Sequence, residues 1–174
     1  LRDWAKQVTE DIRKLSDRNR EDVRASAERV LKVSQGRVGD ELRKKICQPG
    51  GVAWAKGLLP ILYGKLRSAH QEMLKEQAQH QDNLAKYREE RDKFSKDLAA
   101  QLARTRLFAK PGPPAQKVFE LGNGEIDAAM EIERRAAAAR VFEGIMHDVE
   151  ELQGQVSRIA EKADRLREQV QNVE

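Results

Sequence analysis

The sequence predicts an all-α fold: an elongated, coiled-coil-like antiparallel helical hairpin, then a third long helix after a Pro-rich connector. Three observations point there. Apolar residues recur at steps of three and four through most of the 174 residues. Apart from Pro60, the prolines fall at two places, Pro49 and Pro111–Pro114, where that periodicity stops. The composition is 36% charged and 5% aromatic, with a mean hydropathy of −0.77. That is too polar for a compact globule of this length. It suits long helices that each bury a narrow stripe. The same composition also fits disorder, but disordered segments lack the periodicity.

Residues 1–47 read as one helix, with apolar positions at Trp4, Val8, Ile12, Leu15, Val23, Ala27, Val30, Val38, Leu42 and Ile46. Asn19 and Ser34 fill two places of the seam with polar groups. Gly36 and Gly39 weaken its last third by up to ~1 kcal/mol each relative to Ala. The mean step lies slightly above 3.6, so the seam drifts around the helix instead of holding a heptad. Gln48-Pro49-Gly50-Gly51 ends it, because a residue before proline avoids the helical region and glycine supplies the turn.

A second helix is expected from Val52 to Arg106. Its heptad seam is Leu59, Tyr63, Leu66, His70, Met73, Gln77, His80, Leu84, Tyr87, Arg91, Phe94 and Leu98. Pro60 predicts a short helical turn at Val52–Gly57 and a kink or fresh start near Leu58–Pro60. Folding back at 48–51 makes residues 1–107 a hairpin with arms of about 70 Å. It would set Ile46 against Ala53, Leu15 against Leu84, Ile12 against Tyr87 and Trp4 against Phe94. The polar Asn19 would meet the polar His80.

Residues 108–124 read as a connector, since Pro111, Pro113 and Pro114 favour extended chain. Asn123 or Gly124 offers an N-cap, with Glu125 and Asp127 in the first turn of a helix over 125–174. This third helix has the strongest periodicity: Ile145, Val149, Leu152, Val156, Ile159, Ala163, Leu166, Val170 and Val173. β-Branched residues alternating with Leu suit a parallel dimer. The flanks oppose one, because Lys162 would face Arg167 across it. Charge gives the alternative. Residues 1–48 hold 13 Lys and Arg against 9 Asp and Glu, and residues 49–107 hold 11 against 7, for +8 together; residues 125–174 hold 7 against 12, or −5. An acidic helix packed on a basic hairpin is as well founded as a dimer.

No catalytic, cofactor-binding or metal residue is expected, and the chain does not read as an enzyme. His70 and His80 lie ten residues apart and cannot share one metal; Glu76 and His80 would need ligands from elsewhere. They read as polar seam residues. Cys47 is the sole cysteine, with no His at helical spacing. The glycines of "ELGNGEID" mark a helix start, without the lysine or the strand of a phosphate-binding loop. Basic residues alternate with acidic ones, as in Arg88–Lys93, and no aromatics interleave, so nucleic acid is not expected; nor is a small-molecule ligand. No apolar run reaches the ~20 residues of a membrane span. A lone cysteine and the lack of a signal peptide point to the cytoplasm. A start at Leu1 instead of Met reads as a segment of a longer protein.

With those elements in place, "CQPGGVAWAKGLLPILYGKLRSAHQEML", within roughly residues 40–75, resembles the helical region of large bacterial tubulin-like proteins. The resemblance implies an accessory coiled-coil region with the GTPase elsewhere. The glycine-rich nucleotide loop of that family is absent here, so no GTP-binding residue is carried over. The hairpin is also similar to the helical stalks of dynamin-like proteins, whose apolar tips can touch membranes.

The expected role is a non-catalytic coiled-coil scaffold or interaction segment of a larger protein, with a protein partner or a second copy as in a dimer. Its candidate contact residues are an apolar tip, Trp54, Leu58, Leu59, Ile61, Leu62 and Tyr63, and the coiled-coil seam Ile145, Val149, Leu152, Val156, Ile159, Leu166 and Val170. One alternative is a membrane-associating hairpin with its tip at 52–63. Another is the regulatory stalk of a linked GTPase.

Overall fold

In the computed structural model the chain is all-α, with α1 at Arg2–Ile46, α2 at Gly51–Arg104 and α3 at Pro113–Gln171. The structure describes residues 2–104 and 113–173, with side chains for all except 2–6, 8–9, 98–99, 101–104 and 113–115. The expected pairing of Trp4 with Phe94, the seam place of Leu98 and the connector residues 108–112 lie outside the described residues. Two compact units form, each taking a stretch of all three helices. One unit combines Leu1–Ala27 with Leu74–Ala137; the other combines Glu28–Met73 with Ala138–Glu174.

The first unit is a three-helix bundle with a small apolar core of Leu84, Ala128, Ala129 and Ile132. The ends of its contacts give its directions. Gly122 lies on Ile12, and Glu133 on Arg20 and Arg24, so α3 runs parallel to α1. Gly124 lies on Tyr87, and Arg135 pairs with Glu76, so α3 runs antiparallel to α2. Ile12 and Tyr87, expected opposite each other, thus sit over neighbouring glycines of α3.

The second unit has the larger core: Leu42 from α1, Ala55 and Leu59 from α2, and Ile145, Val149, Leu152 and Val156 from α3. Val38, Ile46, Val52, Trp54, Leu62, Tyr63, Leu66 and Val141 pack around it. Here α1 turns into α2. The Gly51 amide donates to the Gln48 carbonyl at 2.8 Å, and Gly50 takes a φ of 76°, a left-handed conformation glycine adopts without steric cost. A side chain on Gly51 would meet the Lys45 and Ile46 carbonyls. Both glycines of the bend are therefore required by its geometry.

Three expectations are corrected. First, α2 runs from Gly51 through Pro60 as one helix, so Val52–Gly57 is not a separate turn and there is no fresh start at Leu58–Pro60, the part of that expectation which is corrected. An interior proline costs ~3 kcal/mol or more. Ala55 and Leu59 are fully buried on that face, with Leu62 and Leu66 packed beside them. At ~1.5–3 kcal/mol per large buried side chain, Leu59 with the partly buried Leu62 and Leu66 offsets that cost.

Second, α3 begins at Pro113, so residues 113–124, read as connector, are helix. Pro113 and Pro114 stand in the first turn, where the missing N–H has no helical partner to lose. Asn123 and Gly124 are not an N-cap, and Gly122 and Gly124 do not mark a helix start. A Cβ on Gly122 would come 2.6 Å from Ile12 Cδ1, and one on Gly124 2.9 Å from the Tyr87 ring. These glycines let neighbouring helices approach closely inside α3.

Third, Leu15 and Val30 are not in the α1 seam. Leu15 is 49% exposed while the adjacent Ser16 is fully buried, and Val30 is exposed while Leu31 is half-buried. Leu15 therefore does not close on the buried Leu84. The inward face is Ile12, Ser16, Asn19, Val23, Ala27, Leu31, Ser34, Val38, Leu42 and Ile46, again in steps of three and four. Both faces satisfy the apolar pattern locally. The one that was selected turns Ser16 inward in place of Leu15 and Leu31 in place of Val30.

Candidate interaction surface

The acidic residues of α3 supply part of what holds each bundle. In the first unit Glu125 is fully buried between Arg88 and Arg91 of α2, with Arg88 Nε at 2.9 Å. Arg91, also fully buried, donates to Glu125 and reaches Asp92 at 3.3 Å. Glu133 is nearly buried and accepts from Arg20 and Arg24 of α1 at 3.2–3.4 Å. In the second unit the Tyr63 hydroxyl donates to Glu150 at 2.7 Å, which raises the phenol pKa from its ordinary 10.0. A carboxylate beside the oxygen favours the neutral phenol. These carboxylates cross between helices, and Arg91, a seam position of α2, shares the fully buried Glu125 with Arg88.

The apolar tip divides between core and surface. Leu59 is fully buried, and Trp54, Leu62 and Tyr63 pack against the second core, with the Lys45 ammonium 5.3 Å above the Trp54 ring. Leu58 and Ile61 face outward. Half of the run 52–63 is thus covered by the second core, and the other half, Ala53, Lys56, Gly57, Leu58, Pro60 and Ile61, is exposed.

The α3 seam divides as well. Ile145, Val149, Leu152 and Val156 are buried. Ile159, Leu166 and Val170 are exposed, as is Val173. The second unit shows why. Gly39 lies against Asp148, and parallel helices rise together at ~1.5 Å per residue, so Ile46 at the end of α1 comes level with Gln155. Tyr63 stands opposite Glu150, and the antiparallel α2 therefore has its first residue, Gly51, level with Lys162. Past that level no helix of the unit among the described residues lies beside Leu166, Val170 and Val173, while Ile159 lies past the end of α1 but level with the first turn of α2. Every residue from 161 to 173 is exposed.

This overhang stays helical through Gln171 because, apart from Asp164 and Val170, residues 161–171 are Ala, Leu, Glu, Lys, Arg and Gln, with no Gly or Pro after Gly154. Asp164 and Arg167 add an i,i+3 pair at 3.5 Å. Its apolar positions keep the seam spacing, with Leu166 62%, Val170 64% and Val173 87% exposed. A shallow groove lies between Leu166, Gln169, Val170 and Val173. In heptad terms Lys162 and Arg167 stand one on each flank of the stripe, while Glu161, Asp164 and Glu168 fall on the opposite face.

The sequence identified the stripe residues but not which half lacks a cover, since exposure depends on where α1 and α2 end in space. It missed Glu125 and Glu133 as core groups. Their spacing of eight, on the same face as Leu121, Ala128 and Ile132, was the available signal.

Among the described residues no group of three or more His, Cys, Asp and Glu could hold a metal ion. Among them, too, no helix is long and apolar enough to cross a membrane. No family model, curated protein or solved structure matches the chain.

Proposed function

We propose that this chain is a non-catalytic helical interaction segment, and that its docking element is the overhanging end of α3. One observation carries the reading: residues 161–173 are all exposed yet keep the apolar spacing of the buried seam that precedes them. A solvated helix gains nothing from Leu166, Val170 and Val173 in line. A partner helix laid on the stripe would bury those three side chains. The buried charges support the reading from the other side. Arg91, Glu125 and Glu133 are engaged in holding the bundle.

Site-specific photo-cross-linking tests this in cells that make the chain. A cross-linker replacing Leu166 is expected to give discrete adducts that a Val170→Glu substitution abolishes. One replacing Glu168, on the opposite face, is expected to give none. Equal adducts from both faces, or none from either, would remove the docking reading.

A further inference from the structure

The exposed stripe has cations on its flanks, and they describe its partner. Lys162 and Arg167 border the stripe on its two sides, Ala160 and Gln169 complete the flanks, and no acidic residue stands there between 160 and 169. The acidic groups of the same stretch, Glu161, Asp164 and Glu168, are turned to the far face. In a two-stranded coil the flanking positions lie across from those of the other strand and set which strand is accepted.

A second copy meets these cations poorly. Aligned parallel, Lys162 of one copy faces Arg167 of the other on both sides of the seam, and like charges there are destabilising. Aligned antiparallel, with Ile159 opposite Val170 and Ala163 opposite Leu166, the cations face Gln169 and Ala160, which neither repel nor attract. A strand with carboxylates at its flanks gains an ion pair on each side. Its Glu side chains also cover the edges of the stripe. The Asp164 carboxylate, 3.5 Å from Arg167 on the exposed side, is too open to water to satisfy that cation.

Building on the docking reading above, we propose that the overhang is one strand of a two-helix coiled coil, and that the other strand belongs to a partner with Glu or Asp on both flanks of its apolar seam. Charge at the flanks contributes chiefly selectivity to such a contact.

The full chain is titrated with two fluorescein-labelled synthetic helices that share one Leu/Ile/Val seam, one with Glu at every flanking position and one with Lys. The Glu helix is expected to bind roughly fivefold or more tighter at low salt, from two exposed pairs each exchanged for a like-charge contact. Its advantage should shrink as salt rises. The variant Lys162→Glu/Arg167→Glu, altered only at exposed positions and checked by circular dichroism, is expected to invert the preference. Three results would overturn the proposal: equal affinity for both helices, binding of neither, or concentration-dependent dimerisation of the chain alone that Leu166→Glu abolishes. The first and third leave a docking stripe in place with a different occupant. Only loss of the face-specific cross-links at position 166 removes the stripe itself.

Discussion

Arg91 of α2 and Glu125 of α3 are both fully buried, and a guanidinium N–H of the first donates to the carboxylate of the second. The pair sits where the alternating seam of α2 calls for an apolar residue. Removing one partner from a buried pair leaves the other charged and without compensation, at ~3–5 kcal/mol. Glu125→Leu also strips Arg88 of its 2.9 Å partner. Urea unfolding should therefore show a loss of about that size. Arg91→Met/Glu125→Leu should recover most of it, because a matched apolar pair carries no desolvation cost. A double variant no better than the single one would show that the pair does not act as a unit.

The two seams of the second unit should respond oppositely to truncation. Leu59 is fully buried and Leu166 is 62% exposed. Leu59→Ala is expected to cost ~2–5 kcal/mol of unfolding free energy through lost transfer energy and a cavity. Leu166→Ala should stay within about 0.5 kcal/mol in the free chain. A comparable loss at both would mean that Leu166 is covered.

The glycines separate by their surroundings. Gly36, Gly57 and Gly64 are helical with nothing within 4 Å of a built Cβ. Each change to Ala should stabilise the chain by up to ~1 kcal/mol, the helix propensity difference. Gly50→Ala should destabilise it by ~1 kcal/mol through the positive φ. Gly51→Ala should also destabilise it, because the backbone carbonyls it would strike cannot rotate away. Thermal melts of the five variants give the signs directly.

Tyr63 sets an alkaline limit. Its folded pKa is raised above 10.0, chiefly by the hydrogen bond it donates to Glu150. The contribution is thus fully present below pH 10 and is lost as pH rises through the higher folded value, where the phenolate has no proton to donate and repels the carboxylate. Wild type should lose stability relative to Tyr63→Phe above pH 10 and match its own neutral-pH margin below it. Parallel curves from pH 8 to pH 12 would show that the bond contributes nothing.

Much of the architecture was legible in the residues. The α2 seam from Leu59 to Phe94 lies inward at nearly every place, polar members included, since an alternating four-three spacing leaves a helix one consistent face. The bend at Pro49–Gly51 was legible for the same local reason. The failures fall where two readings satisfy the local rules equally. Leu15 and Ser16 are adjacent, and the face that won is the one that fits beside α2 and α3. Pro113 and Gly124 read as breakers, yet a proline in a first turn and a glycine under a tyrosine ring both belong to a helix. The difference lies in the neighbour, which has no local trace.

Helical periodicity is a short-range property, and it was enough for three helices, the bend between the first two and the line of apolar residues along the third. Which carboxylates enter the core depends on arginines from other helices. The length of α3 left bare depends on where Ile46 and Gly51 come to lie beside it. Both follow from the packing register, which is summed over contacts between residues far apart in the chain.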